Sequence, residues 1–412
     1  MNTYDLPMSK NIDVLKTPLT VQKKTISNRL AIQPMEGADG TKDGAPGELT
    51  IRRYDRFAQS GAGLLWFEAT AVRHDGRANP HQLWIHEKNA DAYKRIVDRI
   101  KENAHKETSV VPLLIMQATH SGRYAKPDKD LAPIIAYNNP IFEKENPISP
   151  DRIISDDDLK KLEEEYAAAT RLAIAAGFDG VDIKACHRYL VSELLSAHSR
   201  PGLYGGSLEN RMRFFKNCTE NARTVATPDF IVTSRMNIYD GFPYPYGFGV
   251  KKDTNDEDND VEPDLTDSIA VIKDIGFSFI NITMGNPYVN PHVNRPTDII
   301  GVERMYRLTK KVKKAFPDVT IVSSAPTFLK EDSVYLAAGA VEQGYADSVG
   351  FGRMPFAYPQ FAKDMLNGQF DKKQTCVTCG KCTELMRGSQ AGCAVRDPVY
   401  TDLYRALLSA KK

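Results

Sequence analysis

The sequence predicts an α/β protein built as a (β/α)8 TIM barrel with a short cysteine-rich C-terminal extension. Short runs of β-branched and apolar residues alternate with longer segments of helical period, which is typical of a parallel sheet covered by helices. There are eight such runs, the number that a closed barrel requires. They are 29–34, 63–69, 109–117, 180–185, 229–237, 278–285, 319–325 and 346–353.

The connecting segments support the same fold. Helices are predicted over 86–105 and 155–177, and the second of these has Ser155 as its N-cap, followed by acidic residues. Two strand-to-helix loops, 118–154 and 238–263, are long enough to cover an active site at the carboxyl ends of the strands. The second loop contains an acidic stretch that we interpret as solvated. We expect a barrel domain over 1–368 and an extension over 369–412.

Composition excludes several classes of function. The chain has 54 basic and 53 acidic residues, a formal charge of +1, which offers no general attraction to nucleic acid or to anionic lipid. The longest apolar run, 110–116, is interrupted by Pro112 and is too short to cross a membrane. Four of the six cysteines lie within 376–393, which favours a metal site in a reducing compartment. We therefore expect a cytoplasmic protein that acts on a small molecule, and the sequence leaves a homo-oligomer open.

Polar residues gather at the carboxyl ends of the predicted strands, where barrel enzymes place their active sites. They are Glu68, Gln117, His120, Lys184, His187, Tyr189, Arg235, Ser324 and Arg353. Neither a GxGxxG motif after the first strand nor a phosphate loop ending in GK[ST] is present, so dispersed residues must hold any cofactor. Gly350, Gly352 and Arg353 suit the phosphate-binding position of a barrel.

Residues 180–215 are the most distinctive part of the chain. The segment YGGSLENRMRF (204–214) resembles the Old Yellow Enzyme family of FMN-dependent oxidoreductases, and further matches occur in the same order along nearly the whole barrel. These matches are NRLAIQPME (28–36), EATAVRHDGR (68–77), QATHSGR (117–123), Arg235 and ADSVGFGRMPFAYPQF (346–361).

The resemblance implies a binding role for several residues. It places Pro34 and Met35 behind the isoalloxazine ring, Glu36 near flavin N5, where the family has Thr or Cys, and Ala69 beside the ring. Gln117 would bond the pyrimidine edge and Arg235 would approach N1 and O2, where a guanidinium stabilises the reduced flavin. The phosphate would be held by Ser324, Ala325, Gly352 and Arg353.

The resemblance also implies the catalytic residues. Tyr189 matches the tyrosine that protonates the substrate carbon, and His187 matches the second member of the pair that binds the substrate carbonyl. The first member of that pair is Lys184 here, where the family usually has His, and Arg188 replaces a glycine. Because both are cationic, we expect an anionic substrate such as an enoate.

Cysteines follow the last strand with the spacing C-x2-C-x2-C-x10-C, at Cys376, Cys379, Cys382 and Cys393. Three thiolates close together with a fourth farther on suit a [4Fe–4S] cluster, whereas zinc more often uses two separated pairs. A zinc site or unliganded thiols remain alternatives. The pattern is similar to the branch containing 2,4-dienoyl-CoA reductase and trimethylamine dehydrogenase.

These resemblances predict an FMN-dependent, NAD(P)H-fed reductase of activated C=C bonds. One alternative is an oxidative dehydrogenase or demethylase that passes electrons to the cluster, and another is a non-catalytic electron-transfer subunit. The cluster would either be structural or take electrons from a donor protein.

Overall fold

The computed structural model describes residues 4–252 and 261–410. Its strands are β1 (Leu19–Val21), β2 (Lys24–Ile26), β3 (Leu30–Ile32), β4 (Leu64–Ala71), β5 (Leu113–Thr119), β6 (Gly180–Ile183), β7 (Ile231–Asn237), β8 (Phe279–Thr283), β9 (Thr320–Ser323) and β10 (Ser348–Phe351). Strands β3 to β10 are parallel and form a closed barrel, in which β10 pairs with β3 through the register Gly350 to Ala31. The predicted (β/α)8 barrel is therefore confirmed.

Helices surround and extend the barrel. They are α1 (Glu48–Ala58), α2 (Ala90–Thr108), α3 (Pro140–Glu143), α4 (Asp156–Ala175), α5 (Leu190–Leu195), α6 (Leu208–Val225), α7 (Thr266–Ile275), α8 (Pro291–Asn294), α9 (Ile299–Ala315), α10 (Ser333–Glu342), α11 (Met354–Ala357), α12 (Phe361–Leu366), α13 (Lys381–Arg387) and α14 (Pro398–Ser409). The Ser155 cap is confirmed, because its side chain accepts a hydrogen bond of 3.0 Å from the Asp158 backbone N–H. No described helix is both long and apolar enough to span a membrane.

The two ends of the barrel interior differ in polarity. The antiparallel hairpin β1–β2 brings Val21 and Ile26 into an apolar cluster with inward-facing strand residues, among them Trp66 and Phe279. The ring centroids of these two aromatic residues lie 5.4 Å apart. Since this end is filled by apolar side chains, the inward-facing polar residues of the same strands are left for the carboxyl ends, where a cavity opens.

The C-terminal extension packs against the barrel through helix α1. Asp397 is buried, caps α14 and accepts two hydrogen bonds from Arg52, of 2.7 and 2.9 Å. Tyr400 packs beneath the Arg52 guanidinium, 5.3 Å from the ring centroid. A Cβ on Gly392 would come within 2.3 Å of the Tyr400 ring, so the chain here requires a residue without a side chain. These contacts fix the extension beside the open end of the barrel.

Both long loops lie where the sequence predicted them. The first contains α3, and its Arg123 bonds Glu193 at 2.8 Å and also bonds Glu143, all three side chains being buried. In the second loop, Val250 and Pro263 form an isolated antiparallel bridge that closes its base. Most of the acidic stretch, 253–260, lies outside the described residues.

Candidate active site

A single cavity at the carboxyl ends of the strands contains every predicted cofactor-binding and catalytic residue. These are Pro34, Met35, Glu36, Ala69, Gln117, Lys184, His187, Tyr189, Arg235, Ser324, Ala325, Gly352 and Arg353. The cavity is also lined by residues that the sequence did not indicate, namely Gln33, Pro287, Tyr288, Asn294, Arg295, Pro296, Thr327, Thr383, Met386 and Arg387. Residues separated by more than 300 positions therefore meet in one site.

Arg235 is a buried guanidinium that forms no ion pair with a carboxylate of the described residues. It is 8% exposed, and its contact with the protein is a long one, 3.4 Å from Nη2 to the Thr283 hydroxyl. Its Nε finds no hydrogen-bond acceptor among the described residues. Burial lowers its pKa, an effect that nearby Cys186 and Asp182 oppose. A buried cation with unused donors that faces a cavity fits an electron-rich or anionic ligand group.

Asp182 fixes two of the cavity residues from behind. One carboxylate oxygen accepts hydrogen bonds from Gln117 Nε2 (2.6 Å) and Trp66 Nε1 (2.9 Å). The other accepts from the Arg235 backbone N–H at 2.7 Å. Burial raises the Asp182 pKa to about 6, against the effect of these hydrogen bonds. Because Gln117 uses its nitrogen on Asp182, its carbonyl oxygen is left to a ligand in the cavity.

The region predicted to bind phosphate combines a positive backbone angle, a glycine and a cation. Ala325 has φ +68°, a conformation that glycine adopts most easily. A Cβ on Gly352 would lie 3.1 Å from the Met35 sulfur, so its absence leaves room in the cavity. The Arg353 side chain lines the cavity and forms no hydrogen bond or ion pair within the described part of the chain. The Ser324 hydroxyl, however, already donates to the Ile282 carbonyl at 2.7 Å.

Tyr189 stands at the centre of the predicted catalytic group. Its hydroxyl donates to Glu36 Oε2 at 3.1 Å and lies 3.0 Å from the Tyr288 hydroxyl. The Lys184 ammonium lies over the Tyr189 ring, 3.6 Å from its centroid. Burial raises the Tyr189 pKa well above its ordinary value, and Glu36 adds to the effect. The phenol therefore keeps its proton at neutral pH.

His187 is neutral in this site. Burial, with Lys184 and Arg235 nearby, lowers its pKa well below the ordinary value. Its Nε2 lies 3.1 Å from the Asn294 amide nitrogen, which also donates to the Met284 carbonyl at 3.0 Å. The amide nitrogen of Asn294, and not its oxygen, must face the Met284 carbonyl, because two carbonyl oxygens would repel each other. The same nitrogen faces His187 Nε2 and can only donate. His187 Nε2 therefore accepts, and the ring proton is on Nδ1.

The expectation that Arg188 adds a cation to the pocket was wrong. Its backbone has φ +59° and its side chain points away from the cavity, fully buried. The guanidinium bonds Ser196, Asp240 (3.3 Å) and the Tyr246 carbonyl (2.6 Å). A buried cation requires such partners, and they lie outside the site.

Two other strand-end residues also lie outside the cavity lining. Glu68 accepts from the Gly37 backbone N–H at 2.6 Å and pairs with Arg53, which in turn bonds Asp39. His120 accepts from a backbone N–H through Nδ1. We interpret both residues as supports of the strand-to-helix loops.

The four cysteines of the extension are free thiols that lie near one another. The Cys382 pKa is raised to about 11, chiefly by burial and also by the other three cysteines, while Arg353 opposes the rise. Backbone N–H groups lie 3.4 Å from the sulfurs of Cys376 and Cys393. Within residues 4–252 and 261–410, no group of three or more histidine, cysteine or acidic side chains is already arranged to hold a metal ion.

The Cys382 helix also forms one wall of the cavity. Thr383, Met386 and Arg387 of α13 line it, and Thr383 accepts a 2.7 Å hydrogen bond from Arg295. Sequence reasoning missed this contribution because nothing in the cysteine spacing shows which way the helix faces. Cys186 and Cys218 are fully buried.

Comparisons with known proteins identify the family of the chain. The family model of the NADH:flavin oxidoreductase / NADH oxidase family matches residues 14–371. A NADH:flavin oxidoreductase of Gibberella zeae is 27% identical over 332 residues, covering 75% of each chain. An NADPH dehydrogenase of Bacillus subtilis is 30% identical over 215 residues, covering 51% of this chain and 60% of the relative.

Solved structures share the fold. A 2-naphthoyl-CoA reductase has a TM-score of 0.77 at 20% identity, with 95% of this chain and 58% of that chain covered. The histamine dehydrogenase of Rhizobium sp. 4-9 has a TM-score of 0.75 at 19% identity, with 95% and 53% covered. An Old Yellow Enzyme homologue from Zymomonas mobilis has a TM-score of 0.64 at 22% identity, with 86% and 92% covered. This chain thus spans little more than half of the first two.

The barrel and the cavity at its open end, together with the matching family model, define a flavin-dependent oxidoreductase. The chain belongs to the NADH:flavin oxidoreductase / NADH oxidase family.

Proposed function

We propose that this chain is an FMN-dependent NAD(P)H:acceptor oxidoreductase that reduces an activated C=C bond of the enone or enoate type. The observation that carries the proposal is a buried, protonated Tyr189 facing the same cavity as Lys184, His187 and the unpaired Arg235 guanidinium. A C=C reductase needs a proton donor and groups that polarise a carbonyl, and the cavity offers both. The relatives named NADPH dehydrogenase support a nicotinamide donor.

The residues present fit FMN. Arg235 and the Gln117 oxygen offer a donor and an acceptor side by side for the pyrimidine edge, and Asp182 orients both. Arg353, the Gly352 gap and the Ala325 backbone would hold the phosphate, while Pro34, Met35, Glu36 and Ala69 would border the ring. When bound, FMN supplies the hydride that it receives from NAD(P)H.

The side chains have distinct roles in the reduction. His187 offers its Nδ1–H to the substrate carbonyl oxygen, and Lys184 neutralises the negative charge that develops there. Tyr189 gives its proton to the carbon opposite the one that accepts hydride. Its raised pKa keeps the proton on the phenol until the developing carbanion draws it away.

The charges of the cavity favour an anionic substrate. Lys184, Arg295 and Arg387 line it in addition to the two arginines assigned to FMN, whereas Glu36 is its single acidic residue among those described. Lys184 keeps this role although Arg188 does not contribute. The same cations disfavour the competing reaction, oxidative dehydrogenation of an amine, because an amine substrate enters as a cation.

We further propose that residues 1–368 bind FMN and that 369–412 hold a [4Fe–4S] cluster on Cys376, Cys379, Cys382 and Cys393. Three features support an iron–sulfur cluster ligated by these cysteines: their spacing in the sequence, the backbone N–H groups beside two of the sulfurs, and the closeness of the four thiols. Six free thiols suit a reducing, cytoplasmic environment. A separate electron-donor protein and a homo-oligomer remain predictions from the sequence.

The test separates the two halves of the reaction. The protein is purified without oxygen, its flavin, iron and sulfide are measured, and stopped-flow absorbance follows reduction by NADH or NADPH and then reoxidation by an aromatic enoate or a cyclic enone. We expect Tyr189→Phe to slow reoxidation about 10²- to 10⁴-fold and to leave reduction unchanged. Equal reoxidation rates in variant and wild type, or reduction of the flavin by amines in place of NAD(P)H, would overturn the proposal.

A further inference from the structure

Tyr288 is a second phenol in the cavity that the proposed reaction does not use. It belongs to the loop between β8 and α8, is 40% exposed, and places its hydroxyl 3.0 Å from that of Tyr189. Tyr189 itself is 1% exposed. The contact between the two hydroxyls therefore connects a buried proton donor with a side chain that is partly exposed.

The hydrogen bonds around Tyr189 have a defined direction. A phenol has one hydrogen to donate, and Tyr189 donates it to Glu36. Once Tyr189 has given up its proton, its phenolate oxygen can only accept, so the Tyr288 hydroxyl 3.0 Å away becomes the donor. In that state the hydrogen of Tyr288 points towards the buried residue, the direction in which a proton would have to move.

The loop holds Tyr288 in place. The Tyr288 backbone N–H donates to Asn286 Oδ1 at 2.7 Å, and the Asn286 amide nitrogen donates to the Tyr124 hydroxyl at 2.7 Å. The Tyr124 ring packs against Tyr288 with 4.2 Å between centroids. The titratable groups that face Tyr288 are the phenols of Tyr124 and Tyr189 and the charged side chains of Glu36 and Arg295. The position of the phenol is thus set by its neighbours.

We propose that Tyr288 is a proton-relay residue that returns a proton from solvent to Tyr189 after each turnover. The inference rests on the proposed proton donation by Tyr189. In that step the Tyr189 O–H bond breaks and a C–H bond forms on the substrate. The Tyr288 O–H bond then breaks as the Tyr189 O–H bond forms again, and water or a buffer acid restores the proton of Tyr288.

The relay makes single and repeated turnovers respond differently. Tyr189 holds its proton before the first turnover, so Tyr288→Phe should leave the first reoxidation of the reduced holoenzyme unchanged. In steady state we expect kcat to fall about tenfold or more, with a larger solvent deuterium isotope effect and partial rescue by small buffer acids. Tyr335→Phe is the matched control, because it removes the hydroxyl of a similarly exposed tyrosine that lies on α10, outside the cavity lining, and it should behave as wild type.

A second measurement does not depend on activity. With 3,5-difluorotyrosine at position 189, fluorine NMR follows the ionisation of this phenol. Tyr288→Phe lacks the hydrogen bond that stabilises the phenolate, so its titration midpoint should rise by about one to two pH units, whereas Tyr335→Phe should titrate as wild type.

The outcomes separate the relay from the function on which it rests. If Tyr189→Phe slows reoxidation but Tyr288→Phe matches Tyr335→Phe in kcat and in the fluorine titration, the relay is wrong and the proposed function stands. If Tyr189→Phe reoxidises at the wild-type rate, the proposed function itself fails.

Discussion

Asp182 illustrates how a site can be maintained at the expense of stability. Its carboxylate orients Gln117 and the Arg235 backbone, yet burial raises its pKa from an ordinary 3.8 to about 6. An acid with a raised pKa in the folded state binds a proton more readily when folded, so stability falls as pH rises between about 4 and 6. This increase in pKa corresponds to a loss of about 3 kcal/mol in the free energy of unfolding at neutral pH.

Asp182→Asn should separate the two effects. The asparagine cannot ionise, so the variant does not lose this stability as pH rises. In urea unfolding of the flavin-free protein, the free energy of unfolding of the variant minus that of wild type should increase by about 3 kcal/mol from pH 4 to pH 7.5. The asparagine side chain has one acceptor oxygen in place of two. At least one of the three donors that bond Asp182, which are Gln117, Trp66 and the Arg235 backbone N–H, is therefore left unpaired. FMN affinity, measured by quenching of flavin fluorescence, should therefore weaken about 5- to 150-fold, for a cost of about 1–3 kcal/mol.

Asp240→Asn provides the control for flavin affinity. Burial also raises the pKa of Asp240 to about 6, but this residue lies outside the cavity lining and accepts a hydrogen bond from Arg188. FMN affinity should be unchanged in this variant. The reasoning is refuted if Asp182→Asn binds FMN as tightly as wild type, or if its stability follows the wild-type pH profile.

Two further predictions concern residues around the site. Arg188→Met should leave the KM for an anionic enoate unchanged, because the guanidinium lies outside the cavity. In urea unfolding, the variant should lose about 3–5 kcal/mol of stability, because the buried charge of Asp240 is left unpaired. A raised KM would contradict this placement of Arg188. Cys382→Ser should lower iron and sulfide in anaerobically purified protein while FMN remains bound, since Cys382 is not part of the cavity lining; wild-type iron content would contradict a cluster at this position.

The sequence predicted the barrel well because local patterns carry that information. Each strand of the barrel is a short apolar run, and Ser155 caps its helix through a bond to a residue three positions away. Strand ends then place side chains at the open end of the barrel by geometry alone. For this reason Gln117, Lys184 and Arg235, which are distant in the sequence, could be assigned to one site before the structure was known.

Side-chain direction and loop packing were decided by the tertiary structure. Arg188 follows His187 at a pair of positive backbone angles, which turn one side chain into the cavity and the other towards Asp240. Tyr288 lies in a loop without a motif, and only folding brings its hydroxyl to Tyr189. Periodicity and spacing record which residues share an element, whereas contacts between loops depend on backbone angles and on distant neighbours that no local pattern contains.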